Sequence, residues 1–345
     1  MHKSPIGRAL ELAYNSGTLT AIHRAQRNRL TVLAYHRIDD PKAPEFCTFA
    51  PNVSATPQAF AEQMDLLCTL FNVVSMQQVV AWLEGHSQLP PYAALITFDD
   101  GYRDNFDNAF PVLRARNLPA TIFLATDCIG SSKPFYWDLA AHCFKNTKLH
   151  VAELPVLGTS RWLNDDERQD VALRWVSTVK SLPDSEKQQA AARLPETLDV
   201  TLSDRSFADL HLTWEQVCKM QAVGFEMGAH TCSHPILARI PLSEARRQIS
   251  ESRTAIEENT QQPVVTFAYP NGLSSDFTQA HQTLLAEFGF RAGFTLVPGP
   301  MSFSRALQQP MAIRRIFIGW RDDLPRFLAK LTGLARLADR LFAGK

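Results

Sequence analysis

Two short stretches of the chain carry side chains whose types and spacing suit hydrolytic chemistry. The first is ALITFDDGYRDN, where an apolar run leads into adjacent carboxylates, Asp99 and Asp100, followed by Gly101. Successive side chains of an extended chain point to opposite sides, so neighbouring aspartates at a strand end serve different directions. One can ligate a metal while the other faces a substrate. A turn that merely ends a strand is the plainer alternative. The second stretch is GFEMGAHTCSHP, in which three residues separate His230 from His234. This spacing suits two imidazoles on one ion. No Glu follows His230, so the pair is not the helical H-E-x-x-H of zinc proteases. Pro235 biases His234 away from the α region, which places the pair at a strand-to-loop junction. Paired histidines are often structural, but an Asp-Asp strand end in the same architecture favours ligation. Two neutral imidazoles and one carboxylate leave coordination positions open, as a catalytic ion requires. Such an ion lowers the pKa of its water and polarises a carbonyl.

The elements that would position these groups can be read from the same sequence. Apolar runs bounded by turn residues recur at TVLAY (31–35), ALITF (94–98), TIFLAT (121–126), VVTFAY (264–269), FGFRAGFTL (288–296) and IRRIFI (313–318). They are nearly continuous rather than alternating, which suits strands buried on both faces. Helical periodicity lies between them at 57–71, 75–85, 105–117 and 242–260. This alternation predicts an α/β fold with a mainly parallel sheet, open or closed into a barrel. In a barrel, the C-terminal ends of the strands carry the active site.

Residues 131–212 break the rhythm. They are polar and mostly helical in pattern, with no Pro/Gly/Ser-rich tether, and read as an insertion packed over the main domain. Residues 1–30 form an N-terminal helical segment. The tail, 321–345, is an amphipathic helix with basic residues on its polar side. It either covers the core or makes peripheral contact with a membrane.

The 345 residues are 45% hydrophobic and 20% charged with zero formal net charge, as expected of a globular domain and not of a nucleic-acid binder. There is no apolar stretch of membrane-spanning length and no secretory leader pattern, so the expectation is a cytoplasmic protein, with membrane association left open. The six cysteines are irregularly spaced and read as reduced thiols. Oligomeric state is not legible.

TFDDGY, HTCSH and the later FAYPNG resemble the first three motifs of the polysaccharide deacetylases of carbohydrate esterase family 4, the NodB-like domain. YHRI (35–38), FPVLRARNLPATIFL (110–124) and LTWEQVCKMQAVGFEMG (212–228) are similar to flanking pieces of that family. The resemblance covers about residues 30–320. It implies a distorted (β/α) barrel of about seven strands over 31–320, and removal of N-acetyl groups from amino sugars of a polysaccharide or glycan precursor, including exopolysaccharide. It also implies that Asp100, His230 and His234 bind a divalent metal, commonly zinc. Asp99 would then be the general base toward the metal's water, and a backbone N–H at Pro270–Asn271 would help hold the oxyanion.

Two departures from the family pattern matter. The third motif often opens with an Arg that pairs with the base and closes with Tyr or Phe, where this chain has Ala268 and Asn271. Arg315, on the last expected strand, is the candidate replacement for that arginine. The family's late His, its general acid, has no match, because no His follows His281. His36, at the end of the first strand, is the candidate substitute. Tyr102, Tyr136, Trp137 and Tyr269 could stack on sugar rings at the barrel mouth or pack in the core. The carbohydrate reading thus has two alternatives: an O-acetyl esterase or other amide hydrolase on the same fold, and a non-catalytic glycan-binding protein.

Overall fold

The computed structural model describes residues 5–334. Its centre is a set of parallel strands: β1 (Arg29–Tyr35), β2 (Ala93–Asp100), β3 (Thr121–Leu124), β4 (Glu226–Ala229), β5 (Thr266–Ala268), β6 (Ala292–Phe294) and β7 (Ile316–Phe317). They pair in the order β6-β5-β4-β3-β2-β1-β7. Two short strands extend the sheet, Asn72–Val73 beside β2 and Met301–Ser302 antiparallel to β1. The two ends of the sheet meet through a parallel bridge between Phe294 and Ile313. There the Ile313 N–H donates to the Gly293 carbonyl and the Thr295 N–H donates to the Ile313 carbonyl, both at 2.8 Å. The sheet therefore curls into the expected distorted seven-stranded (β/α) barrel.

The continuous apolar runs explain this architecture. All eight residues of β2 are buried, the two aspartates included. Alternate residues divide between two layers. Leu33, Tyr35, Ile96 and Phe98 face the surrounding helices, packing with Phe60, Met64 and Leu67 of the helix Pro57–Leu70. Leu30, Val32, Leu95 and Phe123 fill the inside of the barrel with Ala268 and Phe294. The helix Met76–Leu83 adds Met76, Val79 and Trp82 to that inner cluster, and a capping box between Ser75 and Gln78 fixes its start.

The 105–117 segment departs from a single regular helix. A wide π turn, Asn105–Ala109, precedes the α-helix Phe110–Ala115. The turn carries Asn105, whose amide donates to the His36 carbonyl at 2.7 Å.

Residues 131–212 contain the helices Tyr136–Asn146, Asp165–Lys180 and Asp184–Thr197. They also hold a β-hairpin, Val151–Leu154 with Gly158–Arg161, where the mostly helical expectation had none. The hairpin is legible in retrospect: Ala152 and Leu154 are buried while Val151 and Glu153 are exposed, and Gly158 has φ 70°. Trp162, Trp175 and Leu194 give the insertion a core continuous with Tyr102, Ala125 and Trp137 of the barrel mouth.

Of the expected tail helix, the part Leu324–Leu331 is described. It buries Phe327, Leu328, Ala329 and Leu331, with Leu19 of the N-terminal helices in the same cluster as Leu328 and Ala329. Residues 335–345 lie outside the described residues. No helix among the described residues is long and apolar enough to cross a membrane. All six cysteines are free thiols.

Closure of the barrel requires a close approach at Gly293. A Cβ there would lie 2.7 Å from the Met311 carbonyl oxygen and 3.1 Å from Leu285. Gly293→Ala is expected to destabilise the fold by about 1–3 kcal/mol through overpacking. Denaturant unfolding checks this, and an unchanged midpoint would contradict the closure described.

Candidate active site

Strand β2 ends in Asp99 and Asp100, and β4 runs directly into His230 and the loop that carries His234. All four side chains are buried, and they converge at the C-terminal mouth of the barrel. Asp100 Oδ1 lies 3.5 Å from His230 Nε2 and 3.4 Å from His234 Nε2. Several residues here sit in the left-handed region: Asp100 (φ 76°), Thr231 (φ 67°), His234 (φ 59°) and Asn271 (φ 58°). Such conformations are costly for non-glycine residues and persist only where the surroundings enforce them. His234 departs from the extended conformation that Pro235 favours, and its N–H donates to the Thr231 hydroxyl at 3.0 Å, which holds the turn.

The donor set fits a metal. Both oxygens of the buried Asp100 carboxylate lack a hydrogen-bond partner, a costly arrangement for a desolvated anion unless a cation shares it. His230 Nδ1 is 2.7 Å from the Ala268 carbonyl, which fixes the proton on Nδ1 and leaves the Nε2 lone pair free. An ion about 2.1 Å from each of two ligands at a tetrahedral angle needs them about 3.4 Å apart, close to both observed separations. Among the described residues, Asp100, His230 and His234 are the grouping of His, Cys and acidic side chains able to share an ion. Burial pushes His234 down to about 3, so its imidazole is neutral and able to ligate at pH 7. Burial alone would raise the Asp100 carboxyl, but the facing imidazoles hold it below the usual carboxylate range.

Asp99 has a different partner. Arg315, fully buried just before β7, grips it with two parallel bonds, Nη1 to Oδ1 at 2.6 Å and Nη2 to Oδ2 at 2.7 Å. The guanidinium also donates to the Thr295 carbonyl and the Thr97 hydroxyl, both at 3.2 Å, and lies over the Phe123 ring. Burial raises the Asp99 carboxyl, yet Arg315 outweighs it and holds the group below its ordinary value. His36 Nε2 stands 3.9 Å from Asp99 Oδ2.

These groups open into a cavity of about 320 Å³ lined by His36, Asp100, Trp137, His234 and Asn271, along with Tyr136 and Lys180. A larger cavity, about 580 Å³, surrounds Ser75, Glu226 and Val264 at the opposite end of the strands, remote from these side chains.

Of the residues expected to contact substrate, Trp137 and Asn271 line the cavity, whereas Tyr102, Tyr269 and Pro270 do not. Tyr102 is fully buried: its hydroxyl donates to Asp138 at 2.7 Å and accepts from Trp137 Nε1 at 2.8 Å. It supports the Trp137 wall from behind. Tyr269 is also fully buried, stacked on Phe277 with its hydroxyl donating to the Met311 carbonyl at 2.9 Å. Pro270 is buried as well and lacks an N–H, so the backbone donor in that loop is Asn271, whose N–H has no partner among the described residues. Sequence reasoning missed Phe49, Asn52, Lys180, Leu296 and Phe317, which also line the cavity. Lys180 had no signal, being one of several basic residues on a polar helix. Asp138 carried one: it is the acidic residue of the aromatic run FYWDL.

A profile of the Polysaccharide deacetylase family matches residues 86–293. Poly-beta-1,6-N-acetyl-D-glucosamine N-deacetylase of Staphylococcus epidermidis is 32% identical over 116 residues, 31% of this chain and 39% of that protein. The chain therefore aligns with less than half the length of that relative. Among solved structures, the Streptococcus pyogenes deacetylase PplD in complex with acetate superposes with a TM-score of 0.57 at 16% identity, covering 88% of this chain and 99% of that one. IcaB from Ammonifex degensii superposes with a TM-score of 0.52 at 20% identity, covering 90% and 98%. At these identities the likeness is one of fold.

Removing one partner of the Asp99–Arg315 pair strands a buried charge. Arg315→Met is expected to destabilise the protein by about 3–5 kcal/mol, and Asp99→Asn combined with it to recover part of that loss. Unfolding of the two single variants and the double variant measures the coupling. Strict additivity would show that the bidentate pair is not formed.

Proposed function

The chain belongs to the polysaccharide deacetylase family, a family of hydrolases, and from that premise we propose that it removes N-acetyl groups from amino-sugar units of a glycan using one divalent metal. The observation that carries this reading is the buried Asp100 carboxylate, without hydrogen bonds and flanked by two imidazole nitrogens at 3.4 and 3.5 Å. Asp100, His230 and His234 would hold the ion, and their nitrogen and oxygen donors with open positions suit zinc. Bound there, the ion supplies a water acidic enough to attack at neutral pH and polarises the acyl carbonyl.

The remaining work falls to the chain's own side chains. Asp99, ionised and clamped in one orientation by Arg315, accepts the proton of the attacking water. The Asn271 N–H, held at the cavity wall by its left-handed backbone, donates to the developing oxyanion. His36, at the cavity wall beside Asp99, delivers a proton to the leaving amine. Trp137 forms an apolar wall that a sugar ring can stack on, with Tyr136 beside it. Residues 31–320 would form the catalytic barrel, with 131–212 roofing its mouth. The relative from S. epidermidis, named for poly-beta-1,6-N-acetyl-D-glucosamine, supports N-acetylglucosamine as the sugar unit. The pairing of Asp99 with Arg315 counts against a binding protein on a decayed enzyme fold, since the base keeps its orienting partner despite Ala268.

The test is acetate release from N-acetylglucosamine oligomers, expected to be abolished by a chelator and restored by zinc. Asp99→Asn should lower kcat by about 10²–10⁴-fold with zinc still bound by elemental analysis. His36→Gln should lower kcat more than it changes KM. Absence of acetate release from every amino sugar tried, with zinc present, would overturn the deacetylase reading. Release from acetyl esters alone would transfer it to an esterase.

A further inference from the structure

Asp138 is a carboxylate that the proposed chemistry leaves unused, and its burial demands a reason. It sits in the first turn of the helix Tyr136–Asn146, fully buried and without an ion pair among the described residues. Arg37 acts on it from a distance, but that guanidinium is spent on Asp104 at 2.7 Å, Asp39 at 3.0 Å and the Thr48 hydroxyl. Burial pushes the Asp138 carboxyl up to about 6, with Arg37 opposing, so the group is ionised at pH 7. A desolvated anion is costly unless its oxygens are engaged. Both are: Oδ1 accepts the Phe49 N–H at 3.0 Å and Oδ2 accepts the Tyr102 hydroxyl at 2.7 Å.

Those two partners lead to the cavity that Asp100 and His234 line. Phe49, Asn52 and Trp137 are all cavity residues, and each is tied to Asp138 or to Tyr102. Phe49 is held by Asp138 directly. The Tyr102 hydroxyl accepts the Trp137 Nε1–H at 2.8 Å, and the Asn52 amide approaches the same oxygen at 3.5 Å. Counting donors explains an aspartate at this position. The Phe49 N–H, the Trp137 indole and the Asn52 amide can only donate here, and the hydroxyl has one proton to place. The carboxylate takes that proton and leaves the hydroxyl oxygen free for Trp137. An asparagine at 138 could accept from Phe49 or from Tyr102, but not from both. With its oxygen on Phe49, the Tyr102 proton finds no acceptor among these groups. With its oxygen on Tyr102, two N–H donors face each other.

We infer that Asp138 is a positioning residue for glycan binding, which through the Phe49 N–H and the Tyr102 hydroxyl fixes the cavity walls Phe49 and Trp137. It bonds to none of Asp99, Asp100, His230 and His234, so it governs how a sugar ring is held rather than how the amide is cleaved. The inference rests on the deacetylase reading for the occupant of the cavity, while the geometry of the wall stands apart from it. The helix that carries Asp138 grips the same segment a second time. Lys145 donates to the Pro44 and Phe46 carbonyls at 2.7 and 2.6 Å. Lys145 is exposed, so water competes for those bonds, and Asp138 is the buried point of the clamp.

The experiment compares the zinc-loaded full chain with Asp138→Asn, Tyr102→Phe and a control, Thr147→Val. The Thr147 hydroxyl, also buried, donates to the Leu198 carbonyl at 2.6 Å and does not line the cavity. Acetate release from N-acetylglucosamine oligomers gives kcat and KM. The indole N–H resonance of Trp137 in isotope-labelled protein, assigned by its loss in Trp137→Phe, reports the wall without any ligand. The expected result is a KM raised about tenfold in Asp138→Asn and in Tyr102→Phe with kcat changed less than about twofold, the scale of one lost hydrogen bond. The Trp137 resonance should move in both variants, and neither readout should change in Thr147→Val. Should Asp138→Asn fail to fold, Tyr102→Phe carries the test, since it removes only the hydroxyl through which Asp138 acts. A wild-type KM, a fall confined to kcat, or an unmoved resonance in the folded variants overturns the inference. A displaced resonance without acetate release from any oligomer would keep Asp138 as the anchor of the wall and remove the deacetylase reading instead.

Discussion

Two ionised carboxylates at the end of one buried strand are the constraint around which the rest of this structure is arranged. Water cannot solvate Asp99 or Asp100, each about 1% exposed, so each must be satisfied by groups arriving from other strands. Asp99 is satisfied by Arg315, which reaches it only if the segment entering β7 lies against both β1 and β6. Asp100 is flanked by His230 and His234, which requires β4 to end level with β2. The register Asp100↔Leu124↔Ala229 across β2, β3 and β4 puts His230 one residue beyond that line. The curl of the sheet and the chemistry of its mouth are thus one requirement. An open sheet would leave β7 with no contact to β6 and no Thr295 carbonyl to orient Arg315.

Much of this was legible because it rests on local pattern. The strands carrying the site are continuous apolar runs, the adjacent aspartates follow one of them without a break, and the two histidines lie four positions apart before a proline. Each of those signals spans only a few residues. Arg315 was reachable only indirectly, from the need of Asp99 for a cation once Ala268 stood where the resembling family places one. Whether the tyrosines face the cavity or the core depended on tertiary position. Tyr102 and Tyr269 follow site strands just as Trp137 follows a loop, and an aromatic residue in such a place can face the cavity or brace it. What separated them is whether the hydroxyl finds a buried partner: Tyr102 has Asp138 and Tyr269 has the Met311 carbonyl. No sequence spacing encodes those partners. The hairpin at 151–161 was masked for a related reason, since two strands of four residues each are too short to dominate a polar, helix-rich window.

Residues 131–212 pack into the mouth of the barrel rather than lying over it as an appended layer. Their core runs without a break from Trp162 and Trp175 through Phe135 and Trp137 to Tyr102 beside β2. Phe135 and Trp137 stack at 4.5 Å, and both meet the His234 ring edge-on at 5.4 and 5.1 Å. The packing that stabilises residues 131–212 therefore also confines the His234 ring beside Asp100. It also brings Lys180 to the cavity that Asp100 and His234 line.

The exchange of an arginine between positions 268 and 315 has a steric logic. Ala268 is fully buried, and its side chain belongs to the cluster inside the barrel that contains Phe123, the ring beneath the Arg315 guanidinium at 5.3 Å. Its backbone carbonyl meanwhile receives the His230 Nδ1 proton, a task indifferent to the side chain. Ala268 and the Arg315 guanidinium thus both border Phe123 in the barrel interior, where a methyl group takes little volume. What the buried Asp99 carboxylate requires is a guanidinium locked onto both of its oxygens. In a closed barrel more than one strand can deliver it, so an alanine at 268 leaves the interaction that orients Asp99 in place.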